Sequence, residues 1–241
     1  MIFKIILILL ALIAAIVLGL FLFARYLNIQ AKRRRNAWLA THPQTPLTEE
    51  KKRLLVFGAI LFSYRREEVL SIVPDVDLKI YAEGMKSQWG VENTEDAMET
   101  LNALLALERT TEFDELISQN TDNRKLEYLR EKIADGLDID PDRVRQVNST
   151  YAWDICRLVA LSKWCYWNDY ISEEDMWRFM QQGAAKAVCM GENWQDYVIS
   201  FLLGRTIQGF GLDDIKDCCV ELFNDNKSYR DGNLFTCYSF K

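Results

Sequence analysis

Asp154 and Arg157 stand three residues apart in the run YAWDICRLVALSKWCYW, which is otherwise rich in Trp, Leu, Val and Cys. On a helix that spacing puts both charges on one face. A carboxylate and a guanidinium in such apolar company either line a pocket or pair inside the protein. Arg205 follows Gly204 at the end of a second apolar run, and the glycine permits close backbone packing that would bring Arg205 to the same place. Two chemistries are open. Arg157 and Arg205 can grip a carboxylate or phosphate while Asp154 orients them, which would suit a hydrolase or transferase acting on a small anionic substrate. Alternatively, Asp154 bridges both arginines and locks three helices together.

Other reactive residues carry less. Glu173 and Glu174 could serve as general acid and base, but they follow Ser172 in the form of a helix start, where acids complement the helix dipole. Adjacent helical residues also point about 100° apart, a poor geometry for sharing a substrate. The one histidine, His42, lies outside the body of the chain, which argues against a nucleophilic triad and a Cys/His zinc site. None of the six cysteines forms C-x-x-C, and they read as small apolar core residues. Phosphate loops, dinucleotide fingerprints and zinc-protease motifs are absent. No metal and no cofactor is expected, and the balance favours a non-catalytic protein.

These residues need elements to position them, and the first element in the chain is an anchor. Residues 5–24 are uncharged and apolar or small, and twenty residues of helix span roughly 30 Å, the thickness of a bilayer core. The run passes through Phe21, Leu22 and Phe23 into Arg25 with no A-x-A site, unlike a cleaved signal peptide. Lys4 alone precedes it, whereas Arg25, Lys32, Arg33, Arg34 and Arg35 follow, and basic residues beside a span stay in the cytoplasm. The expectation is a single-pass protein of the bacterial inner membrane with a cytoplasmic C-terminal body. Tyr26 and Trp38 would sit near the lipid headgroups, and residues 36–47, with two prolines, would form a short stiff linker.

The first 35 residues hold six of the 29 basic residues and none of the 35 acidic ones, leaving the remainder at a formal charge of −12. Nucleic acid is therefore an unsuitable partner, since binding it needs a concentrated positive surface. Seven tryptophans among abundant Phe, Tyr and Leu argue for a packed interior.

The body reads as all-α. Thr48 caps a buried helix of about fourteen residues. Further helices start near Asp77 and Thr94, and residues 112–136 are charged and amphipathic. Asp140-Pro141 is a sharp helix start. Residues 151–167 are apolar nearly all round and mark an interior helix. Ser172, Asn193 and the pair Asp213-Asp214 open three more. The tail from Asn226 is polar at first, and LFTCYSF reads as a short strand or a surface segment. The expected organisation is an anchor over 1–25, a basic segment and linker over 26–47, and a helical domain over 48–241.

Several of these motifs occur in a recognisable order: Trp89-Gly90-Val91, Trp153-Asp154-x-x-Arg157, Tyr170-Ile171-Ser172-Glu173, Trp177, Trp194 and Leu203-Gly204-Arg205. In this order, over about 80–210, the chain resembles a bacterial family known as domain of unknown function 1266. The resemblance implies a helical domain and no particular activity. It departs in one place, since members often have glycine before the tyrosine, where this chain has Asp169. Anchor, acidic body and tryptophan-rich helices together point to a membrane-held module that touches lipid through its first helix and binds a protein, in a regulatory or bacterial-immunity role.

Overall fold

The computed structural model describes residues 2–119, 124–224 and 232–241, and among these every regular element is helical. The first, α1, runs unbroken from Ile2 to Thr41. Forty residues make a rod of roughly 60 Å, twice a bilayer core. Its apolar half is long enough to cross a membrane, and Leu20 and Phe21 stand more than half exposed. Its other half docks on the body. Arg34 donates Nε and Nη2 to the two carboxylate oxygens of Asp77 at 2.9 and 2.6 Å, and Arg35 donates to the carbonyl of Pro74. The linker expected over 36–47 is thus helical as far as Thr41. Trp38, expected near headgroups, is instead buried, with its ring 4.1 Å from His42 and edge-on to Tyr166. A tryptophan with a protein pocket to fill has no need of the interface. His42 in turn lies between two acceptors, the Trp38 carbonyl at Nδ1 and Asp169 at Nε2.

The helix beginning at Thr48 breaks in two, α2 (Glu49–Val56) and α3 (Ala59–Tyr64). Between them the carbonyl of Phe57 accepts the hydroxyl of Tyr197, which is fully buried and needs that partner. The next helices are α4 (Leu78–Trp89), α5 (Thr94–Ala106), α6 (Glu108–Gln119), α7 (Arg124–Leu137) and α8 (Pro141–Arg145). The starts of α4, α5 and α8 fall at or beside the Asp77, Thr94 and Asp140 read from sequence, with Asp77, Asn93 and Asp140 accepting backbone N–H groups as caps, whereas the stretch read over 112–136 is divided between two helices, α6 and α7.

The core is organised by α9 (Tyr151–Trp167), in which every residue is buried. Around it pack α3, α5, α6, α10 (Glu173–Met190) and α11 (Trp194–Ile207). Ser172 and Asn193 cap the last two as expected. Asp213-Asp214 does not open a helix; α12 starts at Lys216 and ends at Glu221. The tail does not form a strand either. Its end is a single helical turn, α13 (Leu234–Cys237), with Leu234, Phe235 and Phe240 buried, and Phe235 and Phe240 contact Trp194. The polar part of the tail read over 226–231 lies outside the described residues. Of the cysteines, Cys156, Cys165 and Cys219 are buried, while Cys189 and Cys237 are exposed and Cys218 is half-buried, so only three serve as core residues.

Candidate functional site

A cleft of about 1250 Å³ opens where the ends of α3, α4 and α11 meet the flanks of α5, α6 and α9. Asp154, Arg157 and Arg205 all line it, together with Arg65, Arg109, Trp89, Trp153, Trp164 and Phe210. The helix geometry that puts Asp154 and Arg157 on one face aims that face at the cleft.

The three residues do not form one cluster. Asp154 is sealed from solvent and accepts the backbone N–H and the hydroxyl of Thr110 at 2.8 and 2.9 Å, while its other oxygen takes Arg157. Arg205 is paired elsewhere. It donates to the Gly211 carbonyl and to both oxygens of Asp214, at 3.0 and 2.8 Å. Asp154 therefore fastens α9 to the first turn of α6 and does not bridge the two arginines. Asp214, read from sequence as a helix start, is the counter-ion of Arg205 in the site.

Each arginine is also held by rings. The Arg157 guanidinium lies over Trp153 at 4.5 Å and near Trp89 at 5.8 Å. Arg205 lies over Phe210 at 5.3 Å and Tyr64 at 5.5 Å. Trp153 and Phe210 are themselves neighbours, 6.0 Å between centroids. The result is a floor of aromatic rings with a guanidinium at either end, an arrangement stabilised by cation–π attraction. Arg65 completes the rim, stacked over Trp164 at 4.7 Å and donating to Gln88.

Burial pushes the Arg157 guanidinium below its ordinary value, opposed by Asp154. Burial acts upward on Asp214, but the Tyr64 hydroxyl and Arg205 outweigh it and hold the carboxyl below the usual range. Tyr64 is pushed up, first by its hydrogen bond to Asp214. The shift on Asp214 favours its ionised pair with Arg205 and that on Tyr64 keeps the hydroxyl protonated, whereas burial works against the charge on Arg157, which Asp154 supports.

Behind the cleft wall lies a charged pair with no signal in the local sequence. Glu67 and Lys163 are fully buried with 3.5 Å between charges. Glu67 also accepts Tyr81 and Trp164, and Lys163 faces the Phe62 ring at 4.0 Å and donates to the Glu68 carbonyl. Burial pushes the Glu67 carboxyl up, with Lys163 opposing. Glu173, weighed above as a catalytic acid, lies outside the cleft. It accepts the Trp177 indole N–H and approaches Lys51. Among the described residues no group of His, Cys, Asp and Glu could hold a metal ion.

Of the basic residues read as orienting the anchor, Arg34 and Arg35 are spent on contacts with the body. The cleft residues outside the predicted set left weak signals. Trp89 stood in an ordered motif, but nothing in the local sequence distinguishes Arg65, Arg109 or Phe210 from surface residues.

Fold and site together define a helical domain built round a buried central helix, with an open arginine–tryptophan cleft on one side and a long apolar helix docked on another. Residues 84–231, more than half of the chain, match the family described as protein of unknown function (DUF1266), and the chain belongs to that family. The matched stretch takes in the cleft from Gln88 to Asp214 and leaves out α1 to α3, and with them Arg65 and Tyr64. No curated protein and no solved structure matches the chain.

Proposed function

We propose that this protein is a non-catalytic binding module, tethered by α1 to the bacterial inner membrane with its domain in the cytoplasm, and that it binds a segment of a partner protein in the cleft. The observation that carries this reading is the cleft itself. At about 1250 Å³ it is open and exceeds the roughly 300–1000 Å³ typical of small-molecule sites. A catalytic reading built on Asp154 has less support, because both of its oxygens are already taken. Tethering raises the effective concentration of the domain for partners at the same surface.

Two measurements test this. Cys189 and Cys237 are exposed, so a membrane-impermeant maleimide should label them only after the cells are opened. Labelling in intact spheroplasts would overturn the cytoplasmic placement. A photocrosslinking residue at Gln208 on the cleft rim should capture one defined protein that the same residue at Tyr128, an exposed site outside the cleft, does not. Capture of the same species from both positions, or none from Gln208, would remove the cleft as the binding site.

A further inference from the structure

The chemistry of the occupant can be read from what the two buried arginines leave unused. Arg157 and Arg205 are each more than nine-tenths buried. Arg157 spends Nε on the Trp153 carbonyl and Nη2 on Asp154. Arg205 spends Nε on the Gly211 carbonyl and Nη2 on Asp214. The Nη1 amino group of each forms no geometrically ideal hydrogen bond among the described residues and neither is sealed from solvent, although the Arg205 guanidinium also interacts with the Tyr64 hydroxyl. A guanidinium fixed on two of its edges, with the third open, is a preorganised anion donor. Its entropy is already lost and its orientation is set by partners that stay in place.

The two donors stand at opposite ends of the Trp153–Phe210 floor. Arg65, which forms no ion pair among the described residues, adds positive charge at the rim. The lining as a whole carries four arginines and four acids, whereas the chain beyond residue 35 is strongly acidic. The cleft is thus a nearly neutral site, locally positive where the Nη1 groups open, on a negative body. At physiological ionic strength, screening over about 8 Å lets this local pattern dominate at contact.

We infer, on the reading that the cleft binds a protein segment, that the segment is acidic: two carboxylates flanking a bulky apolar side chain, the acids on Arg157 and Arg205 and the apolar group against Trp153 and Phe210. A peptide is favoured over a small aromatic anion because the cleft, at about 1250 Å³, exceeds the roughly 300–1000 Å³ typical of small-molecule sites.

The test uses the full chain in phosphatidylcholine nanodiscs. Three acetylated, amidated peptides carry a central benzoylphenylalanine flanked by Glu, by Gln or by Lys, and crosslinked sites are mapped by mass spectrometry. The Glu peptide should label residues around Trp153 and Phe210 about tenfold more than the Gln peptide, since charge-assisted bonds to carboxylate are the stronger kind. Labelling should fall several-fold in Arg65→Gln, whose exposed side chain can be changed without unfolding the domain, and in Arg205→Lys checked for a native melt. Equal labelling by Glu and Gln peptides, or preference for Lys, overturns the inference while leaving a cleft that binds protein. Loss of the Glu crosslink to equimolar adenosine monophosphate would also overturn it, by giving the cleft to a small anion. An absence of capture from Gln208 in cells would instead remove the underlying reading.

Discussion

Asp154 on α9 accepts the backbone N–H and the hydroxyl of Thr110 on α6, and the relationship is returned. Asp114 on α6 accepts the backbone N–H and hydroxyl of Thr150, the residue before α9, at 2.8 and 3.0 Å. Both threonines lie four residues before the aspartate of their own segment, so each helix start is satisfied by the carboxylate of the other. Two exchanged caps fix how α6 and α9 meet, and this junction forms one wall of the cleft. Asp154→Ala should cost about 3–5 kcal/mol, because it also leaves Arg157 buried without its counter-ion. Asp114→Ala, at a half-buried cap, should cost about 1–2 kcal/mol. Chemical denaturation of the two variants checks the order. Equal losses would mean that the Arg157 pair adds nothing.

Gly204 sits where α11 crosses α9. A Cβ there would lie 2.4 Å from the Cβ of Trp153 and 3.2 Å from that of Thr150. Gly204→Ala should therefore destabilise by about 1–3 kcal/mol or more, as overpacking of a fixed core does. Gly84, inside α4, has no atom within 4 Å of its virtual Cβ. Gly84→Ala should stabilise by about 0.5–1 kcal/mol through helix propensity alone. Thermal melts of the pair should move in opposite directions.

Glu67→Gln should be costly, about 3–5 kcal/mol, because it leaves the fully buried Lys163 without its carboxylate. Adding Lys163→Met should recover most of the loss. The pH dependence has a definite sign. Burial raises the folded-state value of Glu67, so its contribution is complete below the unfolded carboxyl range and is lost as pH rises through the folded value. Stability of the wild type minus that of the double variant should therefore fall as pH rises above the ordinary carboxyl range. A flat difference would mean that Lys163 fully compensates the burial.

The docking of α1 should weaken in acid. The hydrogen bonds from Arg34, opposed by burial, hold the Asp77 carboxyl below its ordinary value. Its contribution is present above the unfolded aspartate range and is lost as pH falls through the folded value. Hydrogen exchange over residues 34–41 should quicken on acidification beyond the intrinsic pH effect. In Asp77→Asn it should already be fast and follow the intrinsic rate, since Asn keeps the cap to Lys79 but not the charge. Unchanged protection in that variant would leave Trp38 as the main fastener.

Asp169 has φ +58°, the left-handed region that glycine enters freely, and its carboxylate lies 3.0 Å from Nε2 of His42. The backbone conformation accounts physically for glycine as the residue expected at this turn. Asp169→Gly should change stability little, as it exchanges a contact between His42 and an exposed carboxylate, worth about 0–1 kcal/mol, for relief of a similar strain. Asp169→Ala loses the contact and keeps the strain, and should be less stable than the glycine variant by about 1 kcal/mol, seen as a lower melt. Parity between Gly and Ala would show that the turn relaxes.

What could be read from sequence alone was what short-range physics dictates. A cap and the N–H groups it satisfies lie within three residues of each other, so Thr48, Asp140, Ser172 and Asn193 announce their helices. An all-round apolar run has nowhere to lie but inside, which marked α9, and Asp154 and Arg157 shared a face because of helical spacing. Tertiary structure decided the partners. Thr110 and Asp154 are 44 residues apart, and in sequence the Thr110–Asp114 and Thr150–Asp154 pairs each read as unremarkable i, i+4 neighbours. Arg205 pairs with Asp214 and not with Asp154, Trp38 packs on Tyr166, and the carbonyl of Phe57, at the break between α2 and α3, accepts the hydroxyl of Tyr197. The reason is the same throughout. A buried polar group must be satisfied, but by which of several distant candidates depends on how helices pack, and packing is a property of the whole chain.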